Sequence, residues 1–160
     1  MPITYCRGDI FETDTDVALA HGCNCAGAMG KGIAVAFKQH WPDMYRAYKA
    51  KCGSGEFTPG KVFPWKDEGA GRTIYNLGTQ RTWRTQATLE AIEQAVTTML
   101  RLAQENTIPT IAMPLIGAGL GGLAADDVKV VLDRLAGESS VRLIVCEEFV
   151  PGRAPEPSEA

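Results

Sequence analysis

Three stretches of this chain concentrate the residue types that do chemistry. "HGCNCAGAMGKGIA", residues 21–34, places a histidine, two cysteines, four glycines and a lysine within fourteen positions. "GAGLGG", residues 117–122, adds four more glycines, and "TQRTWR", from Thr79 to Arg84, sets a tryptophan between arginines. The first stretch admits four chemistries. As a metal site, His21, Cys23 and Cys25 share one face of a strand, but no CxxC partner exists and His40 is the only other histidine, too few ligands for zinc. As a P-loop, it has Cys25 where the first glycine belongs and Gly32 where a magnesium-binding hydroxyl belongs. As a redox pair, it is CxC before a glycine loop rather than CxxC at a helix start. As an anion cradle, its glycines let the backbone approach a ligand, and the helix expected from Gly32 to Trp41 aims free N–H groups at the loop. A glycine turn that merely packs tightly is the plain alternative.

The elements that position these stretches follow from periodicity. Short apolar runs at residues 3–6, 17–23, 61–65, 73–77, 110–116 and 141–146 read as strands. Between them lie helical patterns, one starting at Pro42 and ending near Gly53. Another carries the stripe Leu89, Ile92, Val96, Met99, Ala103, and a last one holds Val128, Val131, Leu132 and Leu135. The alternation predicts a central sheet with helices on both faces. Both glycine clusters follow strands and precede helices, which puts them on the carboxyl rim where such sheets bind ligands. "GAGLGG" formally matches GxGxxG, which raises a nicotinamide or flavin oxidoreductase. It comes too late in the chain for a fold that builds outward from an N-terminal βαβ unit. Two glycine loops on one rim suggest instead a ligand with two adjacent phosphates, gripped from both sides by main-chain N–H groups without a cation.

The totals agree with one globular domain. The chain has 160 residues, 45% hydrophobic and 22% charged, with a net charge of −3 that disfavours a broad electrostatic grip on nucleic acid. Five cysteines in no disulfide framework read as free thiols of a reducing compartment, and no signal-peptide core is visible, so a cytoplasmic location is expected. No apolar run is long enough to span a membrane. The domain is expected over residues 1–150, with a disordered tail over 151–160.

"GDIF", "HGCNCAGAMGKGIAVAFK", "NLGTQRTWR" and "MPLIGAGLGGL", in that order and spacing, resemble the macrodomain family, which binds ADP-ribose. The likeness runs from about Ile3 to Glu147. It leans toward the branch of terminal ADP-ribose glycohydrolase and the bacterial antitoxins that remove ADP-ribose from DNA. It implies a three-layer α/β/α sandwich with a central mixed, mostly parallel sheet. Carried over residue by residue, it implies that Asp9, with Ile10 beside it, receives the adenine amino group. Asn24, Leu77, Thr79 and Gln80 flank the distal ribose. Met29, Gly30, Lys31, Gly32 and Ile33 form the first diphosphate loop, and Ile116, Gly117, Ala118, Gly119, Leu120 and Gly121 the second.

Two departures bear on mechanism. The glycohydrolase branch has a lysine where this chain has Gln80, and an acidic residue where it has Gly121. Glutamine forms no Schiff base and is no base near neutrality. The expected activity is therefore lysine-independent removal of ADP-ribose from protein acidic side chains or DNA thymidine, substrate-assisted, with a water oriented by Asn24 or Gln80. His21 is a further acid–base candidate if it faces the cleft. A non-catalytic ADP-ribose reader and an ADP-ribose-1-phosphate phosphatase are the alternatives. Arg81, Trp83 and Arg84 suit contact with a nucleotide strand, although Trp83 equally suits packing at a helix entry. No cofactor and no metal are expected, and a monomer is.

Overall fold

The computed structural model describes residues 2–158. Among these residues, seven strands form one sheet: β1 Ile3–Gly8, β2 Ala18–Asn24, β3 Val62–Lys66, β4 Thr73–Gln80, β5 Thr110–Pro114, β6 Arg142–Phe149 and β7 Glu156–Pro157, in the order β3-β4-β2-β5-β6-β1-β7. The five inner strands are parallel, and only the edge strands β3 and β7 run against their neighbours. Helices α1 Ala34–His40 and α2 Pro42–Ser54 cover one face, and α3 Leu89–Glu105 and α4 Ala125–Gly137 the other. This is the mixed, mostly parallel three-layer sandwich expected.

Side-chain parity builds the two cores. Successive residues of a strand point to opposite faces. Thus Ala18 and Ala20 of β2, Tyr75 and Leu77 of β4, Ile111 and Met113 of β5, and Leu143 and Val145 of β6 join the α3–α4 core. Residues of the opposite parity, Leu19, Ile74, Ala112 and Cys146, join the α1–α2 core with Phe37, Met44 and Tyr48. Buried on both faces, these strands read as continuous apolar runs. Helix α3 turns Ile92, Val96 and Met99 inward at helical spacing, and the Thr88 hydroxyl caps it by accepting from the Ala91 N–H at 3.1 Å.

Two expectations need correction. Helix α1 starts at Ala34, because the Gly32 and Ile33 carbonyls only begin to receive its N–H groups, so Gly32 and Ile33 belong to the preceding loop. The tail expected to be disordered packs along β1 as far as it is described; residues 159–160 lie outside the described range. Ser158 N–H donates to the Tyr5 carbonyl (2.8 Å), Asp9 N–H to the Arg153 carbonyl (2.7 Å), and Gly152 N–H to Asp9 Oδ2 (3.1 Å). Composition alone misses this because an edge strand supplies pairing partners that a polar tail needs no core to use. Gly8 makes room for it. Its φ is +149°, and a Cβ there would lie 2.7–2.9 Å from the Pro155 and Ala154 backbone. Gly8→Ala is expected to displace this strap and cost about 2 kcal/mol, from strain and overlap together. Thermal unfolding and the rate of proteolysis within residues 150–158 measure it.

Candidate functional site

Strands β4, β2 and β5 are adjacent and parallel, so the loops leaving their carboxyl ends meet on one rim. They enclose a cavity of about 340 Å³, within the range of small-molecule sites. Gly22, Cys23 and Asn24 at the end of β2 form its base. Ala28 to Lys31 and Ala34 form one wall, Gln80 and Trp83 a second, and Leu120 the lip opposite. The two glycine loops touch: Leu120 Cδ1 lies 3.1 Å from where a side chain on Gly32 would begin.

The donors on both sides are main-chain groups. Among the described residues, the N–H groups of Gly30, Lys31, Gly32 and Ile33, and those of Gly117, Ala118, Gly119 and Leu120, donate to no other protein group. The second loop holds its curve through Leu123 N–H to the Gly117 carbonyl (2.9 Å) and a 3-10 turn over Gly119–Gly121. Unspent N–H groups converging from two loops form a concavity for anionic oxygens. Lys31 is the cation among the residues lining the cavity.

The first loop is held by contacts that linear sequence does not announce. Asn24 Nδ2 donates to the Ala28 carbonyl (2.8 Å), while its Oδ1 accepts from the Ala26 and Ala28 N–H groups. Tyr48 of α2, fully buried, donates its hydroxyl to the Asn24 carbonyl at 2.7 Å, and Tyr45 donates to the Gly27 carbonyl at 3.2 Å. A register shift between Cys23 and Asn24 sets Asn24 opposite Gln80. Gln80 spends both amide protons within its own loop, donating to the carbonyls of Thr82 (2.9 Å) and Thr85 (2.8 Å).

Of the residues expected at the site, Asn24, Met29, Gly30, Lys31, Gln80, Trp83 and Leu120 line the cavity. Gly32 abuts it through Leu120, and Thr79 and Ile116 press on Gly22 beneath its floor. Leu77 is core on the α3–α4 side. Asp9 follows β1, three strands from β2, with Oδ1 accepting from Phe11 N–H (2.9 Å) and Oδ2 from Gly152 N–H; Ile10 is buried beside it. Arg81 and Arg84 are exposed beside the mouth, Arg84 stacking 5.9 Å from the Trp83 ring centroid. Trp83 is 57% exposed, which excludes the helix-entry packing considered for it. Gly22, Ala28 and Ala34 line the cavity without a chemical signature in the sequence, and Cys23, weighed there as a metal or redox residue, lines it as part of the base.

His21 is a correction. It faces α1, wholly buried, with its ring stacked 3.8 Å from Phe37 and its Nε2 2.7 Å from Asn76 Oδ1. Because Asn76 Nδ2 donates to the Phe63 carbonyl, its Oδ1 must accept, so Nε2 carries the proton. Burial outweighs that bond and lowers the imidazole to about 4. It is a neutral core group away from the cavity. The thiols are equally inert: desolvation raises Cys23 well above its ordinary value and Cys25 to about 12. Among the described residues, no group of three His, Cys, Asp or Glu side chains is placed to hold a metal ion, and no carboxylate or imidazole lines the cavity. No helix among them is long and apolar enough to cross a membrane.

Residues 20–132 match the family model described as Macro domain. Over 130 residues the chain is 40% identical to a DNA ADP-ribosyl glycohydrolase of Mycobacterium tuberculosis, covering 79% of this chain and 36% of that protein. It is 29% identical over 143 residues to the human ADP-ribose glycohydrolase OARD1, covering 89% and 90%. The solved macrodomain of Mycobacterium tuberculosis DarG superposes with a TM-score of 0.84 at 35% identity, covering 90% of this chain and 96% of that one. The chain spans about a third of the length of the curated DNA ADP-ribosyl glycohydrolase it matches.

Proposed function

The chain belongs to the Macro domain family, and from that premise we infer that it is an ADP-ribosyl glycohydrolase that frees ADP-ribose from modified macromolecules, DNA foremost. The observation carrying this reading is the cavity between two loops of unspent N–H groups. A diphosphate held between them leaves its distal ribose toward Asn24 and Gln80, with the macromolecule leaving through the mouth at Trp83 and Leu120. Relatives named for action on ADP-ribosylated DNA and on ADP-ribose support both the ligand and the reaction.

The missing base shapes the mechanism. With no carboxylate or imidazole on the wall, the group that takes a proton from the attacking water is a phosphate oxygen of the substrate. Water forms a bond to C1 of the distal ribose as the bond to the macromolecule breaks, and the leaving group keeps the electron pair. The loops hold the diphosphate so that its oxygen and C1 share one water. The Gln80 amide donates no proton, since both are spent.

Two of the four exposed large apolar side chains among the described residues, Trp83 and Leu120, flank the mouth, and Arg84 lies on the Trp83 ring. A flat base stacks on such a face. The test incubates the protein, with EDTA present, with an ADP-ribosylated oligonucleotide and an ADP-ribosylated protein and measures released ADP-ribose. Release from DNA supports the reading. Binding of ADP-ribose without release from either marks a reader instead. Trp83→Ala with Arg84→Ala is expected to lower turnover of the oligonucleotide about tenfold or more, and that of the protein substrate less, from a lost stacking contact of ~1–3 kcal/mol. Equal losses on both substrates would count against DNA as the substrate.

A further inference from the structure

Gln80 stands at the end of β4 with its side chain turned into its own loop. Its amide nitrogen bridges the carbonyls of Thr82 and Thr85, the two ends of the turn that carries Trp83. The turn is also stitched by its hydroxyls: Thr82 N–H donates to Thr85 Oγ1 at 3.0 Å, and Arg84 N–H to Thr82 Oγ1 at 3.2 Å. Every residue from Arg81 to Gln86 except Thr82 is exposed, so no core packing holds the turn in place. Backbone bonds anchor the segment where it leaves and rejoins the fold, Cys25 N–H to the Arg81 carbonyl (3.0 Å) and Ala87 N–H to the Gly121 carbonyl (2.9 Å), and the Gln80 fork ties the turn between them to the end of β4. Its carbonyl oxygen faces the second glycine loop, 3.6 Å from where a side chain on Gly121 would begin. One side chain therefore touches the cavity, the turn that walls it and the opposite loop.

We propose that Gln80 is a positioning residue: its amide fork fastens the Thr82–Thr85 turn to the end of β4 and so holds Trp83 at the cavity mouth, setting how well the macromolecular part of the substrate is received. The inference rests on the glycohydrolase reading only for what passes the mouth; the fork itself is independent of it. The chemistry is specific. A carboxylate in place of the amide sets an anion against two carbonyl oxygens, and alanine reaches neither. A lysine ammonium, a donor with three protons, can serve both.

The experiment labels the full chain with 5-fluorotryptophan and follows the resonances of Trp41, Trp65 and Trp83, the last assigned by its absence in Trp83→Phe. In Gln80→Ala and Gln80→Glu the Trp83 resonance is expected to shift and sharpen while those of Trp41 and Trp65 stay, which also reports an intact fold. Gln80→Lys restores the Trp83 resonance. With an oligonucleotide carrying one ADP-ribosyl group, Gln80→Ala is expected to raise KM about tenfold and to lower kcat by less, the pattern of a lost binding contact. Affinity for free ADP-ribose falls less than affinity for the oligonucleotide. A Trp83 resonance unmoved in Gln80→Ala overturns the proposal. So does a loss confined to kcat, which would put Gln80 on the reacting atoms. If the unaltered protein releases nothing and binds no ADP-ribose, the glycohydrolase reading falls, while the Trp83 resonance still decides the role of Gln80.

Discussion

ADP-ribose affinity is expected to fall about a hundredfold when Gly117 is replaced by valine. Gly117 opens the second loop with φ at +78°, a region that a β-branched residue enters at a cost of about 1–3 kcal/mol. A side chain there also collides with the buried Ile92 and crowds Leu123 Cδ1 at 3.1 Å, so core and loop cannot both keep their places. The loop yields first, since its N–H groups from Gly117 to Leu120 have no protein partners to anchor them. Losing one or two charge-assisted hydrogen bonds to phosphate, at about 1.5–3 kcal/mol each, gives the stated factor. Isothermal calorimetry with ADP-ribose measures it, with thermal unfolding alongside to show the fold persists. Binding that survives in a merely less stable protein would mean the loop packs without holding the ligand. Lys31, by contrast, is exposed and contributes one screened charge, so the main chain carries the grip.

The second large effect is acid sensitivity seated in His21. The unfolded imidazole titrates near its ordinary 6.5, and the folded one is held down to about 4 by burial against Phe37. Below pH 6.5 the unfolded chain therefore binds a proton that the folded chain refuses, so stability falls as pH drops from about 6.5 toward 4 and levels off beyond. At pH 4.5 this one group costs about 2.5 kcal/mol relative to pH 7.5. Its neighbours Asn76, Phe37 and the neutral Cys23 thiol supply no charge to stabilise an imidazolium. His21→Gln keeps a donor for Asn76 and removes the titration. Urea midpoints at pH 7.5 and 4.5 should then differ less than in the unaltered protein by about that amount. An unchanged pH dependence would show that His21 is charged or exposed in the folded state.

Much of the architecture is written in local pattern. Apolar runs separated by amphipathic stretches specify strands and helices, because periods of 2 and 3.6 are properties of the backbone itself. A glycine cluster after a strand and before a helix goes to the carboxyl rim whatever the rest of the chain does. The placement of the two glycine loops on one rim was legible for that reason, and the cavity lies between them.

What sequence could not decide was direction and long-range pairing. Alternation along β2 says that Leu19, His21 and Cys23 share a face, but not which face, and the fold turns them toward α1. Nothing in "YRAYK" signals that Tyr48 will hold Asn24, because that bond spans 24 positions and exists only once α2 has docked. Nor does the polar tail show that it will pair with β1, at a separation of more than 140 residues. Periodicity is set within one turn or one pleat, so the chain by itself determined its elements, their order and the rim on which the glycine loops sit. Which side chains face the cavity and which are sealed in the core were decided by tertiary structure, since each depends on a partner that folding alone brings near.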